Sequence, residues 1–179
     1  KVAKTIAEAL ENENRKRQDM EMAILKEAEA YIEQYVDVKN EDIIIVAGKE
    51  WHHGVIGIVA SRILSKYYKP TIILTLEDGI YSGSARSVEG FNIFEALNHV
   101  KEHMIRFGGH EMAAGLSLEE AELEPFRKEL NAYGKELLNE ELLTPSLDID
   151  LELPADSISL KVCDELDKME PFGVCNPTP

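Results

Sequence analysis

The sequence predicts an α/β fold: a mixed central sheet flanked by helices, preceded by a long connector helix. Three observations predict it. Ile43 to Ala47 is an unbroken run of strand formers, followed by a polar loop, Gly48 to Gly54, and a segment with helical spacing. That order opens a crossover unit in a buried sheet. Thr71 to Leu76 and Ile80 to Arg86 flank the turn Glu77-Asp78-Gly79, a hairpin that makes the sheet mixed. Residues 2 to 35 read as one long helix, with an apolar stripe at helical spacing toward each end.

In the long helix, Val2, Ala3, Ile6, Ala7 and Leu10 make one apolar stripe, and Met20, Ile24, Leu25, Ala28, Tyr31, Ile32 and Tyr35 make a second. Asn12 to Asp19 between them is wholly polar, and no heptad crosses it. At about 1.5 Å per residue the helix spans roughly 50 Å, which suits a connector whose ends pack on different bodies. The second helix is expected from Gly54 to Tyr67, burying Val55, Ile56, Ile58, Val59 and Ile63, and Lys69-Pro70 ends it.

Asn92, three residues before Glu95, marks the start of a third helix with Leu97, Val100 and Met104 inward and Ile93 or Phe94 closing its first turn. It is expected to run into a tight turn at Phe107-Gly108-Gly109-His110, followed by a strand over Ala113 to Leu118. The next helix reaches about Leu138, with Pro125 in its first turn and Gly134 a mild weakness. Its predicted inner face is Leu123, Phe126, Leu130, Tyr133 and Leu137. Leu147 to Leu153 alternates like an edge strand. Ser159 is expected to cap a short helix with Leu160, Cys163, Leu166 and Met169 inward, and Pro171-Phe172-Gly173 and Asn176-Pro177 read as loop.

A 44 % hydrophobic share in 179 residues excludes wholesale disorder. No stretch approaches the roughly 18 apolar residues of a membrane span. Lys1 without a signal pattern, and the closing Asn-Pro-Thr-Pro, read as a piece of something longer. Two late cysteines, Cys163 and Cys175, make neither a disulfide framework nor a thiolate metal site, so a reducing, cytoplasmic setting is expected. The net charge of -15 argues against nonspecific nucleic-acid binding, but it is unevenly spread. Residues 1–42 carry a net -4, residues 43–110 a net +1 and residues 111–179 a net -12. An anion would approach only the middle, which holds all five histidines, and a polyanion would bind there weakly and salt-sensitively.

Candidate chemistry lies in three motifs. Trp51 reads either as a half-buried packing residue or as a platform for a base. Adjacent His52 and His53 cannot easily share one ion and lack supporting ligands, so loop hydrogen bonding or phosphate contact is the expectation and no metal site is assigned. In Ser82-Gly83-Ser84-Ala85-Arg86-Ser87, three hydroxyls, a glycine and a guanidinium make an anion cradle or an ordinary solvated turn. Gly108-Gly109-His110, before Ala113-Ala114-Gly115, would expose backbone amides to an anion, although bare Gly-Gly turns are common. No nucleotide-binding glycine motif and no catalytic carboxylate pair is present; alternating Asp148, Asp150 and Glu152 look like a solvent face.

Taken together, Glu50-Trp51-His52-His53-Gly54-Val55-Ile56-Gly57-Ile58-Val59-Ala60-Ser61-Arg62, Gly83-Ser84-Ala85-Arg86-Ser87 and Arg106-Phe107-Gly108-Gly109-His110 with Ala113-Ala114-Gly115 resemble the RecJ-type single-stranded-DNA-specific exonucleases of the DHH phosphoesterase superfamily. The resemblance covers nearly the whole chain. It implies residues 1–40 as an interdomain connector helix, 41–142 as a DHH-associated substrate-binding domain and 143–179 as the start of an oligonucleotide-binding-fold region. The resemblance further implies a separate N-terminal domain holding Mn2+ or Mg2+, with no cofactor within these residues. The implied parent is a metal-dependent phosphodiester hydrolase working 5′ to 3′ on single-stranded DNA in repair and recombination. Carried over, Arg86 and His110 would contact phosphate in support of the reaction, Gly108 and Gly109 would shape the turn, and Trp51 and His52 would line the cleft. His53, Ser84 and Ser87 complete the expected substrate contacts. At the second glycine of the family's closing Phe-Gly-x-Gly-Asn-Pro this chain has Cys175. The alternatives are a phosphoesterase domain for oligonucleotides or small nucleotides, and an architectural domain without catalytic part.

Overall fold

The computed structural model describes residues 2–147, 149, 151–173 and 175–178. The chain divides into two compact units, Lys1–Pro145 and Ser146–Pro179. The first contains α1 (Val2–Tyr35), β1 (Ile44–Lys49), α2 (His53–Tyr67), β2 (Thr71–Glu77), β3 (Ile80–Arg86), α3 (Ile93–His99), β4 (Arg106–His110), β5 (Ala113–Glu119) and α4 (Leu123–Leu137). Its five strands form one sheet in the order β1-β2-β3-β5-β4. β1 and β2 are parallel across α2, and the other pairs are antiparallel, so the sheet is mixed as predicted.

Alternate residues of β1 and β2 serve two separate cores. Ile44, Val46 and Ile73 pack with α1 and α2 through Ile24, Ala28, Ile32, Val55, Ile56, Val59 and Ile63. Ile43, Ile45, Ile72 and Leu74 pack on the other face with Leu97, Phe126 and Leu130 of α3 and α4. Burial on both faces is why these strands are predominantly apolar, with only the two threonines of β2 as buried polar residues among them. The β2–β3 turn places Asp78 at φ 49 and Gly79 at φ 79, the paired left-handed residues of a two-residue hairpin.

Only the C-terminal half of α1 joins the core: Glu21, Ile24, Ala28 and Ile32 are buried, while Val2, Ile6 and Leu10 are exposed. Glu21 is buried with its charge matched twice, by Arg17 Nη1 at 2.7 Å and by Nε of Arg62 on α2. Lys66 reaches Glu29 at 2.6 Å, a further tie between α1 and α2. These pairs fix α1 against α2 through charges as well as apolar contact.

Several expectations for the first unit need correction. The segment Phe107-Gly108-Gly109-His110 is not a turn but most of β4, one of the two edge strands. A Cβ at Gly109 would lie 2.3 Å from Ala113 O, so glycine there lets β4 approach β5. α3 ends at His99, and a 3-10 turn at Lys101–His103 hands the chain to β4 before Met104 can extend the helix. On α4 the inward residues include Asn131 and Gly134, while Leu137 is 49 % exposed. Asn131 Oδ1 accepts from Ile43 N at 3.0 Å and Arg127 Nη1 donates to Ile45 O at 2.9 Å, so α4 caps the β1 edge. Gly134 is a close-approach site, since a Cβ would lie 2.9 Å from Ile43 Cδ1.

The second unit holds a 3-10 turn at Ala155–Ser157, α5 (Leu160–Asp167) and a bridge between Gly173 and Asn176. No described residue of it is buried. Leu147, Ile149, Leu151, Glu152 and Leu153 are exposed and form no strand, with no strand among the unit's described residues to pair with; Asp148 and Asp150 lie outside the described residues. Ser159 makes no side-chain cap, and Leu160, Cys163, Leu166 and Met169 are exposed rather than inward. Cys175 takes φ 67, the left-handed conformation a glycine would hold without strain. Among the described residues no helix is long and apolar enough to cross a membrane.

Candidate functional site

Strand alternation sorts the polar residues of the sheet onto one face. Thr71, Ile73 and Thr75 of β2 lie opposite Arg86, Ser84 and Ser82 of β3. The same rows continue through β5 and β4 as Arg86–Ala113–His110, Ser84–Gly115–Gly108 and Ser82–Ser117–Arg106. Residues paired across a sheet share a face. This is the α2 face, because a Cβ on Gly57 of α2 would lie 2.9 Å from Arg86 Nη2 and 3.1 Å from Ser84 Oγ. α2 packs on β2 and β3, and Gly115, Arg106, Gly108 and His110 beyond it are exposed. The result is an open groove of 380 Å³ with β3, β5 and β4 as floor and His53 and Ile56 of α2 as wall.

Arg86 Nη1 donates to Ser84 Oγ at 2.9 Å and to Ala85 O at 2.8 Å, so its guanidinium is fixed by its own strand. Neither Arg86 nor Arg106 has a carboxylate within ion-pair distance among the described residues. Two cations without a counter-charge over a row of hydroxyls suit an anion. Arg86 and His110 flank Ala113, about 10 Å apart from strand spacing alone, within reach of one ligand. His110 Nδ1 accepts from Met112 N at 3.3 Å, so the neutral ring carries its proton on Nε2 and can still donate.

The glycines separate into two kinds. At Gly83 a Cβ would lie 2.9 Å from Ile73 O, and at Gly109 it would strike β5, so the fold requires both. At Gly108 a Cβ would meet nothing within 4 Å, and at Gly115 only Gly83 O at 3.8 Å. These two face each other across β4 and β5 and keep the groove floor low, although packing does not ask for it.

His52, Ser84, Arg86, Gly108 and His110 are exposed or half-buried on or beside this face, and His53 lines the groove with its Nε2 3.4 Å from Glu77 Oε2. His52 caps α2, its Nδ1 accepting from Gly54 N at 3.0 Å. Two expected contacts are structural instead. Trp51 is 7 % exposed, packs in the α1–α2 core and donates from Nε1 to Glu27 at 2.8 Å, so no open ring face is left for a base. Ser87 is 5 % exposed and donates to Phe91 O at 2.6 Å, which takes it out of the anion cradle. Gly109 acts through close strand packing, not through a turn. Motif reading overlooked Arg106 as a contact; its period-two spacing to Gly108 and His110 is a signal only once the segment is known to be a strand.

The approach to β4 is held by His103, whose Nδ1 lies 2.7 Å from Glu122 Oε2 and Nε2 2.8 Å from Glu129 Oε2. A carboxylate only accepts, so both ring nitrogens donate and the ring is an imidazolium. The Glu122 hydrogen bond, then that of Glu129, raises its pKa against the opposing cost of burial. Glu102, His103 and Glu129 come close enough together for an ion, but with both ring nitrogens committed the cluster does not fit a metal.

Comparison with known proteins agrees with this geometry. The DHHA1 domain model matches residues 40–136. The chain belongs to the DHHA1 family. Its DHHA1 domain is of the RecJ type: the single-stranded-DNA-specific exonuclease RecJ of Bacillus subtilis is 36 % identical over 179 residues, covering 99 % of this chain and 22 % of the relative. RecJ of Salmonella typhimurium is 34 % identical, covering 99 % of this chain and 32 % of the relative. The crystal structure of RecJ from Thermus thermophilus in complex with Mn2+ superposes with a TM-score of 0.79 at 32 % identity, covering 96 % of this chain and 24 % of that one. The chain thus spans roughly a quarter to a third of the proteins it matches, and solved RecJ relatives hold Mn2+ or Mg2+.

Proposed function

We propose that this chain is the substrate-binding part of a single-stranded-DNA-specific 5′-to-3′ exonuclease used in DNA repair and recombination. The observation that carries the proposal is the open sheet face, where Arg106 lines the groove and Arg86 and His110 stand one row beyond it, all without carboxylate partners among the described residues, around a floor of Gly108 and Gly115. Guanidinium groups would neutralise backbone phosphates, the His110 imidazole and the Ser84 hydroxyl would donate hydrogen bonds, and the glycines would let the strand lie against the sheet. Binding through phosphates carries no sequence preference, as an exonuclease requires.

The groove's own donors do not fit a divalent cation, because the Arg106 guanidinium lines it and, among the described residues, no cluster of carboxylates does. Hydrolysis is therefore assigned to a catalytic part of the parent protein that uses Mn2+ or Mg2+, and these residues contribute positioning and charge neutralisation. In this reading residues 1–40 connect to that part, 41–142 form the binding domain, and 143–179 begin an oligonucleotide-binding-fold region, all in the cytoplasm.

Fluorescence anisotropy with a labelled oligothymidylate at low salt tests the proposal. The 179-residue chain should bind, and Arg86→Gln with His110→Gln should weaken binding at least tenfold, about 1.5–3 kcal/mol for a charge-assisted contact. Added Mn2+ should give little or no turnover. Rapid stoichiometric cleavage insensitive to both substitutions would overturn the division of labour.

A further inference from the structure

Three rows cross the open sheet face at right angles to the strands, the first just beyond the groove and the other two lining it, and each differs in chemistry. The first carries Arg86 and His110, the second Ser84, Gly108 and Gly115, the third Ser82 and Arg106. Rows two residues apart along a strand are about 6.8 Å apart, so the two cationic rows are separated by about 14 Å. That is too far for one phosphate to touch both, and it matches two steps of an extended polynucleotide backbone. Between them the floor drops to bare backbone at two glycines whose missing side chains would meet nothing in the protein that forbids them. Past Arg106 the surface changes sign, because Glu77 and Asp78 line the adjoining hollow with Ser82 and Ser117.

We infer that Arg106 is the length-sensing contact of the groove, gripping a phosphate two nucleotides away from the one held by Arg86 and His110. The inference rests on the groove's being the strand-binding surface and adds a direction, a footprint and a role to it. The polynucleotide runs along β4 and β5. Three successive phosphates occupy the three rows, and the carboxylates of Glu77 and Asp78 discourage a fourth. A mononucleotide uses only the Arg86–His110 end and does not feel Arg106. Longer strands gain from it, so Arg106 sets preference for strands over free nucleotides without reading a base.

The test is a binding series with 5′-phosphorylated oligothymidylates carrying one, two, three and four phosphates, at low salt, against the 179-residue chain and its Arg106→Gln, Arg106→Lys and Arg86→Gln variants. Arg106 is exposed and its side chain makes no hydrogen bond or ion pair among the described residues, so its replacement leaves the fold intact, to be verified by an unchanged thermal melt. Arg106→Gln should lower affinity about tenfold for three and four phosphates and leave one phosphate unchanged, with Arg106→Lys restoring part of the difference. The salt slope for the longer strands should fall by about one contact. Arg86→Gln should weaken every length. An Arg106→Gln effect equal at all lengths, or absent at all lengths, would overturn the inference while leaving the groove standing. Failure of the unaltered chain to bind any length, or indifference to Arg86→Gln, would overturn the groove itself and the inference with it.

Discussion

One face of the sheet is used in two ways. Over β1 and β2 it is sealed by α1 and α2: Ile44, Val46 and Ile73 are buried against them, and the two buried threonines of that face, Thr71 and Thr75, have their hydroxyls hydrogen-bonded within the protein. Over β5 and β4 the same pleat carries Gly115, Arg106, Gly108 and His110, all exposed. Backbone geometry does not distinguish the halves; cover and side chains do. The two edges differ likewise: at β1 the N–H of Ile43, just before the strand, and the C=O of Ile45 are capped by Asn131 and Arg127, whereas β4 presents its five residues to solvent with one side chain half-buried. The sealed half supplies stability, so the open half is free to be shaped by a ligand.

The largest expected effect breaks the sealed half. Ile73→Ala should lose about 2–5 kcal/mol in urea unfolding, with oligonucleotide affinity of the folded protein within twofold of the original. A loss of affinity at unchanged stability would deny that the halves are separate. The glycines sharpen the contrast. Gly109→Ala forces a Cβ into β5 and should cost about 1–3 kcal/mol, while Gly108→Ala should stay within about 0.5 kcal/mol in stability yet weaken strand binding. Equal stability losses for the two would erase the distinction between packing glycines and floor glycines.

The third prediction concerns the support beneath β4. The folded pKa of His103 is raised, so its Glu122 and Glu129 bonds contribute fully below the unfolded value near 6.5. That contribution is lost as pH rises through the folded pKa. Urea midpoints should therefore decline over that window, and His103→Gln should flatten the decline; an identical slope in the variant would refute the clamp. The smallest effect lies in the second unit. Cys175→Gly relieves a left-handed residue and should stabilise the loop by about 1 kcal/mol, read as slower hydrogen exchange at the Asn176 amide, which donates to Gly173 O at 3.0 Å.

The sequence carried β1, β2 and β3 plainly, because burial on two faces leaves apolar runs and Asp78-Gly79 marks the hairpin. β4 was illegible for the opposite reason. Glycines at 108 and 109 have no side chains to alternate, and the strand exists by its register with β5. Arg106 went unnoticed with it. Trp51 and Ser87 misled because indole and hydroxyl suit ligand and core equally, and only Glu27 and Phe91, distant or local partners, decide between them. Arg86 and His110 were identified as residues, but their common row follows from strand order β3-β5-β4, which no local pattern encodes. In the second unit Leu147 to Leu153 has the alternation of a strand without a partner among the unit's described residues to make it one.

The central claim is that the open half of the sheet is the strand-binding surface. Backbone amide shifts recorded while a short oligothymidylate is titrated into the 179-residue chain at low salt test it most directly. Perturbations should centre on Ser84, Arg86, Gly108, His110 and Gly115 and leave Trp51 and Ile73 unmoved. Perturbations centred on α1 or α4, or none at all across the titration, would contradict it.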